Sequence, residues 1–131
     1  MKTLIVEDDF TSRLVLQGIL KSYGTVDTAV TGNEAVHAVK KAVDANAPFD
    51  LVCLDIMLPE MDGHETLQAI RVIEERRGVR SSEGTKVVMT TSLADPKNVL
   101  AAYNRLCDGY LVKPIDKAKL LSHLRKLKLI A

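Results

Sequence analysis

Hydrophobic and polar positions along this chain fall into two alternating rhythms. Short apolar runs bounded by turn residues occur at "TLIV" (3–6), "TVDTAV" (25–30), "DLVCLD" (50–55), "KVVMTTS" (86–92) and "GYLV" (109–112), and each reads as a strand. Between them the apolar spacing changes to three and four. Leu16, Ile19, Leu20 and Tyr23 predict a helix that ends at Gly24, and Val36, Val39 and Val43 a second one opened by a capping box, Thr31 with Glu34. A third starts near Gly63 with Leu67 and Ile70 inward. Asp95-Pro96 opens a fourth, striped by Val99, Ala102, Tyr103 and Leu106, and Asp116 a fifth with Leu120, Leu124 and Leu127 inward. The polar stretch "EERRGVRSSEG" (74–84) reads as a long surface loop. Five strands alternating with five helices, the strands apolar on both faces, predict an α/β fold: an open parallel sheet covered by helices on both sides.

Composition leaves that picture intact. The 131 residues suit one domain, expected to span 1–131 with no output domain, and 47% apolar with 27% charged is ordinary for a soluble protein. No apolar run approaches the length of about 18 residues that a membrane span needs, and the N-terminus is too short for a signal peptide; the expected location is the cytoplasm. Cys53 and Cys107 lie in apolar surroundings without ligand spacing, and His37, His64 and His123 are scattered. Charge is uneven: residues 1–65 hold 5 Lys/Arg against 11 Asp/Glu, residues 66–131 hold 13 against 6. No nucleic-acid recognition motif accompanies the basic half, so no nucleic-acid partner is expected. The basic, amphipathic "DKAKLLSHLRKLKLI" has leucines at core spacing, which favours packing on the sheet over membrane contact.

The candidate chemistry depends on where such sheets place their sites, beyond the carboxyl ends of the strands. There the chain puts Glu7, Asp8 and Asp9 after the first strand, Asp55 after the third, Thr91 and Ser92 after the fourth and Lys113 after the fifth. An unpaired carboxylate at the end of a buried run costs several kcal/mol, roughly, so Asp55 needs partners. One lysine does not neutralise the acids, so either protons are retained or a divalent cation binds; clustered oxygen donors without thiolate or imidazole suit a hard cation, Mg²⁺ or Mn²⁺. A carboxylate beside such a cation and a lysine can accept a phosphoryl group. Other uses of aspartate or of this sheet fit less well. A haloacid-dehalogenase-type phosphatase wants a second Asp where Met57 stands, a flavin site wants hydroxyls where "EDDF" stands, and no GxGxxG marks a dinucleotide site.

"LIVEDDFTSR", "LVCLDIMLPEMDG", "VVMTTS" and "GYLVKPI" together resemble the receiver domain of two-component response regulators, over nearly the whole chain. The resemblance implies a flavodoxin-like, CheY-like (βα)5 sandwich with strand order 2-1-3-4-5. It implies Asp55 as phosphoacceptor and a metal site of Glu7, Asp8, Asp55 and the Met57 carbonyl. Asp9 is the reserve acid, because three acids are adjacent. The Glu7/Asp8 register is preferred because it places Arg13 five residues after the second acid. Thr91 and Tyr110 are implied as switch residues, Lys113 as the phosphoryl-pairing lysine, Lys113-Pro114 as a cis peptide, and Met57 and Leu93 as rim positions that govern loss of phosphate. The implied protein is a signalling switch rather than an enzyme with a separate substrate, a monomer or weak dimer. Its partners are a sensor histidine kinase or histidine phosphotransfer protein and an unknown downstream protein reached through the face of the fourth helix, fifth strand and fifth helix, or a phosphorelay. The alternative expectation is a receiver-like module that binds partners without phosphorylation.

Overall fold

The computed structural model describes residues 1–80, 82–92 and 106–131. Five strands, β1 (Lys2–Val6), β2 (Thr25–Ala29), β3 (Leu51–Asp55), β4 (Lys86–Thr91) and β5 (Gly109–Val112), form one sheet of order β2-β1-β3-β4-β5, every pairing parallel. Helices α1 (Phe10–Leu20), α2 (Gly32–Asp44), α3 (Gly63–Arg76) and a C-terminal helix (Lys117–Lys126) connect or follow them. The helix expected from Asp95 lies outside the described residues apart from its last apolar position, Leu106.

Strand alternation sorts the core into two layers. Leu4 and Val6, Val52 and Leu54, and Val87 and Met89 face one side, where Ala35, Val39 and Ala42 of α2 and Leu67 and Ile70 of α3 cover them. Ile5, Leu51, Cys53, Val88 and Leu111 face the other, against Leu16 and Leu20 of α1 and Leu120, Leu121 and Leu124 of the C-terminal helix. Leu120, Leu121 and Leu124 of the C-terminal helix pack in the core, and no helix among the described residues is long and apolar enough to cross a membrane.

Three expectations need adjusting. Strand β2 is not apolar on both faces: Thr25, Asp27 and Thr28 are exposed, because β2 is an edge with no strand beyond it in the sheet order. The first helix stops at Leu20, and Lys21–Tyr23 form a 3₁₀ turn before Gly24, whose φ of 144° brings the chain so close to Met1 that a β-carbon would overlap the Met1 carbonyl. Finally, Glu74, Glu75 and Arg76 belong to α3 rather than to a loop, and Glu74 is buried. Its carboxylate takes Arg71 Nη1 at 2.7 Å and the Thr85 N–H at 2.7 Å. Arg71 also donates to the carbonyls of Leu106 and Thr85 and to Asp108, which accepts from the Val87 N–H.

Candidate functional site

Two-residue alternation brings the charged residues together. Glu7 follows Ile5 by two positions, Asp55 follows Cys53 and Lys113 follows Leu111, all three apolar residues belonging to the layer under α1 and the C-terminal helix. The sheet ladder runs one residue past the strands, with Glu7 N–H bonded to Ala29 O, Ile56 N–H to Thr90 O and Lys113 N–H to Thr91 O, so the three side chains emerge at one end of the sheet in fixed register. Lys113 Nζ lies 2.6 Å from Glu7 Oε1 and 3.1 Å from Asp55 Oδ2. Asp55 Oδ1 accepts from the Met57 N–H at 3.1 Å. The chain turns sharply after Asp55: the Gly63 N–H bonds back to Ile56 O, and a β-carbon at Gly63 would sit 2.6 Å from the Asp55 carbonyl oxygen. Only glycine lets α3 start that close to the acid.

The adjacent acids separate by role. Asp9 is the N-cap of α1, its carboxylate accepting from the Ser12 N–H at 2.9 Å, and that bond holds its carboxyl below the usual range. Its own N–H donates to Glu7 Oε2. Glu7 is buried, at 1% exposure, while Asp8 is exposed at the mouth. Carboxylate oxygens of Glu7, Asp8 and Asp55 lie within 4.8 Å of one another. The register with Glu7 and Asp8 facing Asp55, and Asp9 capping, is therefore the arrangement adopted. Burial raises Glu7, Lys113 opposes that rise and the neighbouring Asp55 adds to it, so the net direction is upward. Burial pulls the Lys113 ammonium down, but its two carboxylate partners outweigh it and leave it above its ordinary value. Lys113 is thus a fixed cation at neutral pH.

The donor set suits a hard divalent cation. It is all oxygen, it holds more negative charge than Lys113 offsets, and Glu7 Oε1 is buried with an ammonium beside it but no aligned hydrogen bond. The cysteines are no rivals: burial pushes Cys53 up to about 12 and also raises Cys107, and both are free thiols.

The remaining predicted residues border this cluster or lie near it in the chain. Thr91 ends β4, buried, with its hydroxyl donating to the Ser92 carbonyl at 3.0 Å. Tyr110 lies on the edge strand β5 and is 45% exposed, and the Lys113–Pro114 peptide is cis. Met57 is 72% exposed at the mouth; Leu93 lies outside the described residues. A cleft of about 720 Å³ along α3, lined by Gln68, Arg71, Val72, Glu75 and Arg80 among others, shares no residue with the acids.

The family model for the response regulator receiver domain matches residues 3–125. The chain belongs to that family. It is 37% identical to the two-component response regulator ORR41 of Oryza sativa subsp. japonica, over 98% of this chain and 95% of that protein. It is also 33% identical to SilR of Salmonella typhimurium, a probable transcriptional regulatory protein, of which it spans 50%. Among solved structures, the receiver domain of the histidine kinase CKI1 from Arabidopsis thaliana, complexed with Mg²⁺, superposes with a TM-score of 0.81 at 28% identity, covering 96% of this chain and 90% of that one. Vibrio cholerae CheY4 gives 0.75 at 28% identity, covering 95% and 96%. The fold is the CheY-like receiver fold, and the protein is a receiver domain of a two-component system.

What sequence reasoning missed is Arg13's contact. Its Nη1 donates to the Glu7 backbone carbonyl at 3.0 Å, and its guanidinium lies over the Phe10 ring, 5.5 Å from the centroid. Spacing had marked Arg13, but a side chain reaching for a carbonyl leaves no trace in sequence.

Proposed function

We propose that the protein takes a phosphoryl group from a phosphohistidine on a sensor kinase or phosphotransfer protein onto Asp55, with Mg²⁺, and that this switches its affinity for a downstream partner. The observation that carries the reading is the convergence of Asp55, Glu7, Asp8 and Lys113 at one end of the sheet, with Lys113 3.1 Å from Asp55. Glu7, Asp8, Asp55 and the Met57 carbonyl are the groups that would hold the cation. When bound, it offsets negative charge on the phosphoryl oxygens as transfer proceeds.

The chain's own residues do the rest. A carboxylate oxygen of Asp55 forms the new bond to phosphorus while the donor's nitrogen–phosphorus bond breaks and its electron pair returns to the imidazole. The Met57 N–H and Lys113 fix the carboxylate beforehand, so little orientation remains to be found in the transition state. Once Asp55 is phosphorylated, Lys113 turns to a phosphoryl oxygen. Thr91 leaves the Ser92 carbonyl to do the same, which biases the end of β4 and the exposed Tyr110 beside it toward a second arrangement. A protein donor suits an exposed apolar neighbour of the acid: Met57, whose N–H bonds Asp55, is 72% exposed. Met57, with Leu93, is proposed to slow hydrolysis of the acyl phosphate by keeping water away.

Uptake of beryllofluoride, a phosphoryl mimic, tests this by fluorine NMR. The expected result is a bound signal that needs Mg²⁺ and Asp55 and is absent in Asp55→Asn. A chain that binds partners without phosphorylation would give none in the wild type.

A further inference from the structure

We propose that Arg13 is a positioning residue for the acid pair: by holding the peptide that joins Glu7 to Asp8, it sets the affinity of the pocket for a divalent cation. This rests on the phosphoacceptor reading above. The loop from β1 to α1 is tied at three points. Asp9's N–H bonds to Glu7 Oε2 at 3.1 Å, Asp9's carboxylate caps Ser12, and Arg13 Nη1 reaches back to Glu7 O at 3.0 Å. The Glu7 carbonyl and the Asp8 N–H belong to the same peptide unit. Rotation of that plane swings the exposed Asp8 carboxylate relative to Glu7 and Asp55, so the Arg13 contact governs whether the three oxygens stay grouped. The planar guanidinium is itself steadied by the Phe10 ring. Glu7 and Asp8 would touch the cation; Arg13 would act only through their shared peptide.

Charge alone predicts the opposite sign. A guanidinium beside an acidic pocket repels a cation, so deleting it should tighten binding if electrostatics were its whole contribution. The two roles therefore separate in one experiment, calorimetric titration of the intact chain with Mg²⁺ alone, without phosphodonor. Arg13→Ala is expected to weaken Mg²⁺ binding roughly tenfold, the lower end for groups one step removed from a metal ligand. Arg13→Lys, which keeps the charge and loses the planar fork, should fall between the two. In phosphorylation by a small-molecule donor, the Mg²⁺ concentration for half-maximal rate should rise by the same factor, with the rate at saturating Mg²⁺ near that of wild type. Unchanged or tighter Mg²⁺ binding in Arg13→Ala overturns the inference. If circular dichroism shows that variant unfolded, Arg13→Lys decides in its place, and affinity equal to or above wild type overturns it. A wild-type chain that binds no Mg²⁺ overturns the phosphoacceptor reading itself, and this inference with it.

Discussion

Two ion clusters among the described residues, one centred on Arg71 with Lys86 Nζ also 3.9 Å from its Asp108, the other centred on Lys113, differ in their state of completion. In the first, Arg71 spreads its donors over Glu74, Asp108 and the carbonyls of Leu106 and Thr85, while the carboxylates also take the backbone N–H groups of Thr85 and Val87. In the second, one ammonium is shared between Glu7 and Asp55, Glu7 Oε1 lacks an aligned hydrogen bond, and a third acid, Asp8, stands exposed alongside. The first is closed by the chain itself and joins α3 to the start of β4 and β5. The second leaves the exposed Asp8 carboxylate without a hydrogen-bond or ion-pair partner among the described residues. What an ion cluster leaves unsatisfied separates a structural role from a functional one, and the chemistry proposed above uses the unsatisfied cluster.

The largest effect on stability should come from breaking the closed cluster. Arg71→Ala strands the Glu74 carboxylate in the interior and should cost about 3–5 kcal/mol in denaturant unfolding, with Mg²⁺ affinity unchanged in the folded fraction. Equal loss of Mg²⁺ binding would mean the two clusters are not independent. Lys113→Met removes the matching cation from the open cluster, yet should cost only about 1–2 kcal/mol, in the range for a buried acceptor deprived of its donor, because Glu7 can take up a proton instead. Saturating Mg²⁺ should restore most of that loss, whereas it should do nothing for Arg71→Ala.

Acidity widens the contrast. Burial, opposed by Lys113 and reinforced by Asp55, raises Glu7 above its ordinary 4.5 in the folded state. Folded Glu7 therefore holds its proton to higher pH than unfolded Glu7. Its stabilising contribution is full below 4.5 and is lost as pH rises through the raised folded value. Without divalent cation, Glu7→Gln should lack this decline, so its stability should gain on wild type as pH climbs toward neutrality; parallel curves would contradict the shift. The smallest effect on folding separates the adjacent acids. Asp9→Ala should lower the melting temperature slightly through loss of the α1 cap and weaken Mg²⁺ binding much less than Asp8→Ala, which should leave the melting temperature near that of wild type.

The alternation of strands and helices and the placement of the candidate site were legible in the sequence because periodicity and position carry them, whereas the strand order followed only from the family resemblance. The runs ending in Asp55 and Lys113 are strands, and parallel strands deliver the residues at their carboxyl ends to one edge. The choice among Glu7, Asp8 and Asp9 was less secure, since three adjacent acids look alike until Ser12's N–H claims one of them. Arg71 and Glu74 were hidden for a different reason. Within "RVIEERRG" nothing marks them as buried, because their partners at Thr85 and Asp108 come into range only when β4 and β5 are in place. Strand β2 misled similarly: its edge position, which permits Asp27 and Thr28 to be wet, is a property of strand order and not of the strand.

All of the proposed chemistry turns on Asp55 as carrier of the phosphoryl group. The decisive measurement is incubation with a small-molecule phosphodonor and Mg²⁺, followed by peptide mapping in a mass spectrometer. One phosphoryl group is expected, on the peptide containing Asp55, lost on chelation of Mg²⁺ before donor addition and absent in Asp55→Asn. Label on another residue, or label that persists in Asp55→Asn or without a divalent cation, would contradict that role.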